Sequence, residues 1–188
     1  MRAHLKFCVL VAISLFGGLI VTIVQFRFPG PGVPSQWTTV TFQNPSIQVQ
    51  FPNPPRHRVE QVVLSGINVP TPQGIFTAQG EAGASYMLTV ITYPGEVPPL
   101  EQDIFLKNEL IRLVPGASLI AFDPVTPSYP QGTLSRDFVM QNNAEGTYVQ
   151  GRIVRSNATL YTLTVIYPNG YFPEKAFDHF IQSFLYVQ

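Results

Sequence analysis

The chain has 188 residues, of which 45% are hydrophobic and only 12% charged, with 11 Lys and Arg balanced by 11 Asp and Glu. That balance supplies no excess of basic groups to displace counterions from a nucleic acid, which argues against such a partner, and the sequence has no polybasic stretch for anionic lipid. The single cysteine, Cys8, and three histidines exclude a disulfide framework and a zinc-type ligand set from the bulk of the chain.

Arg2, His4 and Lys6 precede an uncharged, mostly apolar run from Phe7 to Phe26, and Arg27 follows it. A run of that length is expected to cross a bilayer as a helix. The basic flank then sets residues 1–6 in the cytoplasm and the rest outside it, periplasmic in a Gram-negative cell. The rival expectation is a cleaved secretory signal, with the domain secreted. Residues 27–36 hold three prolines and two glycines and read as a stiff linker. Residues 37–188 remain as one domain.

Within that domain, Thr38 to Phe42 and Ile47 to Phe51 are expected to form a hairpin around Asn44-Pro45-Ser46. Arg58 to Leu64 and Gly74 to Gln79 are two further strands, with Pro70 and Pro72 in the loop between them. Tyr86 to Tyr93 is apolar on both faces, which suits a central strand. From Glu101 to Val114 the spacing of Ile104, Leu106, Leu110, Ile111 and Leu113 predicts a helix with one broad apolar face, stopped by Pro115-Gly116. Ala117 to Phe122 is a strand, and Asp123 to Gly132 a proline-rich loop. Leu134 to Gln141, Thr147 to Arg155 and Leu160 to Tyr167 follow as a meander. Pro173 and Glu174 open a final helix whose apolar face holds Ala176, Phe177, Phe180, Ile181, Phe184 and Leu185.

The expected fold class is α+β: an N-terminal transmembrane helix, then an antiparallel sheet packed by a central and a C-terminal helix. The order of elements, with Phe51-Pro52, the Tyr86 to Tyr93 strand, the helix ending at Pro115-Gly116, the Gly151-Arg152-Ile153 strand and the phenylalanine-rich last helix, resembles small bacterial proteins with a PsbP/Mog1-like α/β/α sandwich domain. The resemblance implies a non-enzymatic binding or assembly role, since most members of that group are of this kind.

Several side chains invite a functional reading. Asp137 and Arg152 fall on neighbouring strands. A five-residue loop at 142–146 would set Arg136 opposite Arg152; a shift of one residue sets Asp137 there instead, as opposite charges prefer. This is expected to be a structural ion pair. Lys107 lies near the apolar helix face with Asp103 one turn before it, and an i,i+4 pair is the plain account. His57, in a loop, and His179, on a polar helix face, are expected at the surface. Asn157-Ala158-Thr159 matches a glycosylation sequon. In the meander, the 142–146 turn and the 168–172 loop must lie at one end. That end gathers Asn142, Asn143, Glu145, Tyr171 and Phe172, and loops with aromatic anchors are where scaffolds bind partners. The plain alternative is that Tyr171 and Phe172 only staple the start of the last helix.

No nucleophile–base pair, metal cluster or nucleotide motif stands out, so no catalytic role and no cofactor are expected. The leading expectation is a membrane-tethered module that binds another exported or membrane protein and has no nucleic-acid partner. The alternatives are an exported small-ligand-binding domain with a pocket between sheet and helices, and a hydrolase.

Overall fold

Strand β10 (Thr159–Pro168) is the organising element, because it is buried along nearly its whole length on both faces. A computed structural model describes residues 21–24, 37–43, 46–64, 69–94, 102–125 and 132–186. The other strands are β1 (Val21–Val24), β2 (Thr38–Gln43), β3 (Ser46–Phe51), β4 (Arg56–Val63), β5 (Pro70–Gln79), β6 (Ser85–Thr92), β7 (Ser118–Pro124), β8 (Leu134–Asn142), β9 (Thr147–Ser156) and β11 (Leu185–Tyr186). The helices are α1 (Gln102–Leu113) and α2 (Glu174–Gln182). A seven-stranded sheet runs β4-β5-β6-β10-β9-β8-β7, and a smaller one runs β1-β2-β3-β11. Every described pairing is antiparallel.

Alternation along the strands makes two cores, one on each face of the large sheet. Phe76, Tyr86, Leu88, Tyr161, Leu163 and Val165 point to one face, where they meet Val40, Phe42, Val49 and Phe51 of the small sheet and Phe180 and Phe184 from α2 and the residues just after it. Ile91, Phe138, Met140, Val149, Ile153 and Leu160 point the other way and pack under Leu106 and Leu110 of α1. Phe180 is the hub of the first core: its ring centroid lies 5.3 Å from Phe51 and 5.4 Å from Tyr86. Ser183 fixes the exit of α2 by accepting a 2.9 Å bond from the Gln50 backbone N–H.

Gly151 marks a pinch in the large sheet. It stands opposite Phe138 on one side and Thr164 on the other. A Cβ there would collide with the Leu163 backbone carbonyl and press on the Phe138 ring, so only hydrogen fits.

The structure corrects the expected fold class. Strands far outweigh helices, the small sheet packs on the large one, and the two helices are accessories to this mostly antiparallel β architecture. No described helix is long and apolar enough to cross a membrane. Val21–Val24, inside the stretch expected as a transmembrane helix over 7–26, is instead a strand, with Val21 opposite Phe42 and Val24 opposite Thr39. The physical reason is composition: Val-Thr-Ile-Val is wholly β-branched and suits a pleated ladder as well as it suits lipid. The 1–6 tail, the rest of the 7–26 run and the 27–36 linker, apart from the strand just named, lie outside the described residues.

Smaller corrections follow from packing. Pro70 and Pro72 belong to β5, not to a loop; they stand opposite Val63 and Gln61, where β5 has only β4 beside it and a missing N–H costs little. In α1, Ile104 and Ile111 are exposed, and the buried positions are Leu106, Glu109 and Leu110. The apolar face is narrower than the sequence suggests, and it includes a carboxylate. Leu185 leaves the helix face altogether and pairs with Gln48 in β11.

Candidate functional site

Two features stand out once the strands are in place: an aromatic cleft at one end of the meander, and a buried polar cluster under α1. The cleft starts from the turns. Asn142 pairs with Thr147, so the β8–β9 turn is the four residues 143–146. The buried Asn142 side chain accepts the Glu145 backbone N–H at 3.2 Å through Oδ1 and holds this turn shut. The Asn169 N–H donates to the Gly146 carbonyl at 2.8 Å, which ties the β10–α2 loop to the same end. Gly170 takes φ +87, a left-handed turn that L side chains resist, and the Tyr171 N–H donates back to the Pro168 carbonyl at 3.2 Å.

Above these turns, Tyr148 and Tyr167 are direct cross-strand partners whose rings stack 5.9 Å apart at 16°. Tyr167 donates its hydroxyl to Gln150 Oε1 at 3.1 Å. Burial, with Tyr148 beside it, pushes Tyr167 ionisation upward, so the phenol stays a donor. Phe172 lies 5.3 Å from the Tyr167 ring and 5.5 Å from Phe177, yet 43% of it is exposed. Tyr148, Tyr167, Gly170, Tyr171 and Phe172 line a shallow, open cleft of about 350 Å³. Phe172 therefore does two things at once: it braces the start of α2 and it offers a face to solvent.

The expected site residues sort accordingly. Tyr171 and Phe172 come together in the cleft. Asn143 and Glu145 stand exposed on the neighbouring turn, whereas Asn142 is a turn former withdrawn from the surface. Tyr148 and Tyr167 are additions that sequence reading passed over as sheet residues. The signal existed: a hairpin turn at Asn157-Ala158 forces 148 opposite 167.

Asp137 and Arg152 lie elsewhere, opposite each other on β8 and β9. Nε of Arg152 donates to Asp137 Oδ1 at 2.6 Å and Nη2 to Oδ2 at 2.9 Å, a two-pronged pair. The Asp103–Lys107 pair does not form; Asp103 instead bonds Arg136 of β8 at 2.9 Å, and Lys107 Nζ sits 5.2 Å from the Phe122 ring centroid. His57 belongs to β4, not to a loop, and stacks flat on Phe76 at 4.2 Å and 10°; burial pulls its pKa down. His179 lies against Trp37, with its Nε2 2.6 Å from Gln50 Oε1. In the sequon, Asn157 is exposed in the β9–β10 turn with φ +52, and Thr159 is buried beside Thr92.

The second feature went unread in the sequence. Glu109 on α1 is only 1% exposed and is paired to Arg112 at 2.8 Å; Arg112 also donates to Gln73 Oε1 of β5 at 3.0 Å. Tyr93 packs in the same core, and burial together with the Glu109 carboxylate drives its ionisation far up. The clue was an acidic residue between Leu106 and Leu110 on the apolar stripe. Chemically this cluster is a clamp: one ion pair and one amide fix the rotation of α1 on the sheet. No group of three or more His, Cys, Asp or Glu side chains that could hold a metal occurs among the described residues. The chain matches no protein-family model and no curated protein.

Proposed function

We propose that the protein is an exported, non-enzymatic binding module whose contact surface is the aromatic cleft of Tyr148, Tyr167, Tyr171 and Phe172. The observation that supports this most is the exposure of Phe172 at the rim of a cleft lined by four aromatic rings and a glycine, with no charged side chain in the lining. Rigid aromatics supply contact area at low conformational cost, and interfaces concentrate their energy in such groups. The Gly146–Asn169 tie and the Gly170 turn hold the loop in advance, which lowers the ordering cost of association. The open shape suits a segment of another protein better than an enclosed small molecule. Export is supported by Arg2 and Lys6 ahead of an apolar run.

Site-directed photo-crosslinking tests the reading. A benzophenone side chain at position 171 should give a discrete adduct with a partner protein, and one at Asp178, on the exposed face of α2, should not. The Tyr171→Ala variant should lose that partner in co-purification while its melting temperature stays put. Phe172→Ala should lose the partner and also melt earlier, because its ring braces Phe177. No adduct from position 171, or undiminished co-purification with both variants, overturns the assignment.

A further inference from the structure

The large sheet has two edges, and they are built differently. The β7 edge is irregular: its register with β8 slips between Leu119 and Ala121, and it ends on Pro124. Breaks of this kind are how sheets discourage added strands. The β4 edge has neither device. Its eight residues, Arg56–Val63, pair with β5 without a slip and contain no proline. Beyond β4 no described strand pairs with it. Val59 is 54% exposed and Val63 66%, on a strand that is open to solvent along most of its length. A straight, exposed edge of this kind is a template for another strand.

We propose that β4 is a self-association edge, on which a second copy of this chain adds its own β4 antiparallel about a two-fold axis at Val59. The charges select both the partner and the register. A symmetric antiparallel pair must match residues of the same parity, because neighbouring residues point their N–H and C=O groups to opposite sides of the strand. The axis therefore passes through a residue. At His57 it would set Arg56 opposite Arg58, at Arg58 it would set two Arg58 side chains face to face, and at Glu60 it would face two carboxylates. At Val59 it sets Arg58 of each copy opposite Glu60 of the other, twice. Within one chain Arg58 Nε already lies 3.1 Å from Glu60 Oε1, and both side chains are well exposed, 64% and 45%. The two copies then complete a four-charge square of alternating sign, with Val59 against Val59 and His57 opposite Gln61 beneath it. The result is a continuous fourteen-stranded sheet, two copies of the seven-stranded one. This edge is separate from the aromatic cleft, so either assignment can stand or fall without the other.

The test is charge complementation in the full-length chain, read by sedimentation velocity. The unaltered chain should show a concentration-dependent monomer–dimer equilibrium. Arg58→Glu sets four carboxylates in the square and Glu60→Arg sets four guanidinium groups, so each variant alone should associate about tenfold more weakly or worse. An equimolar mixture of the two should dimerise again, because the two carboxylates of one copy then face the two guanidinium groups of the other. A second readout is independent of affinity. In a Cys8→Ser background, Val59→Cys should oxidise rapidly to a disulfide dimer, since the two positions face each other. Gln61→Cys should not, because its two copies lie about 14 Å apart along the strand. A chain that stays monomeric and oxidises no faster at 59 than at 61, or a mixture that fails to dimerise where the unaltered chain does, overturns the proposal.

Discussion

Arg152 reaches across from β9 and grips both carboxylate oxygens of Asp137 on β8, at 2.6 and 2.9 Å. The two ends of this pair are unequal: the Arg152 side chain is 16% exposed and the Asp137 side chain 44%. Removal of the acid therefore leaves a mostly buried guanidinium without its carboxylate. Asp137→Ala should cost about 1–3 kcal/mol, read as a lower urea midpoint with an unchanged slope. A loss below about 0.5 kcal/mol would place the pair among idle surface bridges.

The Glu109–Arg112 pair should behave more steeply. Arg112→Met strands a carboxylate that is 1% exposed, and breaking a buried pair from one side costs about 3–5 kcal/mol. Replacing both, as Glu109→Leu with Arg112→Met, should recover part of that loss, because the carboxylate is removed with its partner while Gln73 Oε1 still lacks the Arg112 donor. A double-mutant cycle in chemical denaturation reads the coupling directly. Additive losses would show that the cluster does not act as one clamp.

His57 predicts a pH dependence with a definite sign. Its folded pKa lies below the ordinary 6.5 because burial against Phe76 disfavours the cation. Below 6.5 the unfolded chain binds a proton that the folded chain refuses, so stability falls as the solution is acidified, until the folded group titrates too. His57→Phe keeps the stack and removes the proton site. Denaturant midpoints compared between pH ~7.5 and pH ~5 should therefore fall less for the variant than for the unaltered chain. Parallel curves would show that the imidazole is freely solvated.

Much of the large sheet could be read from the sequence because its strands carry strict signals. The meander declares itself through its turn residues, and the Phe180 and Ile181 face of α2 through helical spacing, although Phe184, expected on that face, lies beyond the end of the helix. What could not be read depends on partners distant in the chain. Val21–Val24 looks like part of a lipid-spanning run until Val40 and Phe42 stand beside it as a strand. Ile104 and Ile111 look buried until the width of the sheet beneath α1 is known. Arg136 draws Asp103 away from Lys107, a competition invisible within the helix. For the cleft, the loop pair Tyr171 and Phe172 followed from topology. Its floor of Tyr148 and Tyr167 required the register at the level of single residues.

The small sheet also sets a timetable for synthesis. Leu185 and Tyr186 pair with Gln48 and Ile47, so a strand near the start of the domain waits for residues far along the chain. While the ribosome is still at work, the β2–β3 hairpin has Val40, Phe42, Val49 and Phe51 in place but lacks both β11 and the α2 phenylalanines that cover them. Such long-range closure is slow, and a half-built core is prone to aggregation. The nascent chain thus carries an uncovered apolar hairpin until Phe180 to Tyr186 emerge. Chaperone engagement should be concentrated there, and truncation before Leu185 should harm folding yield out of proportion to the few residues removed.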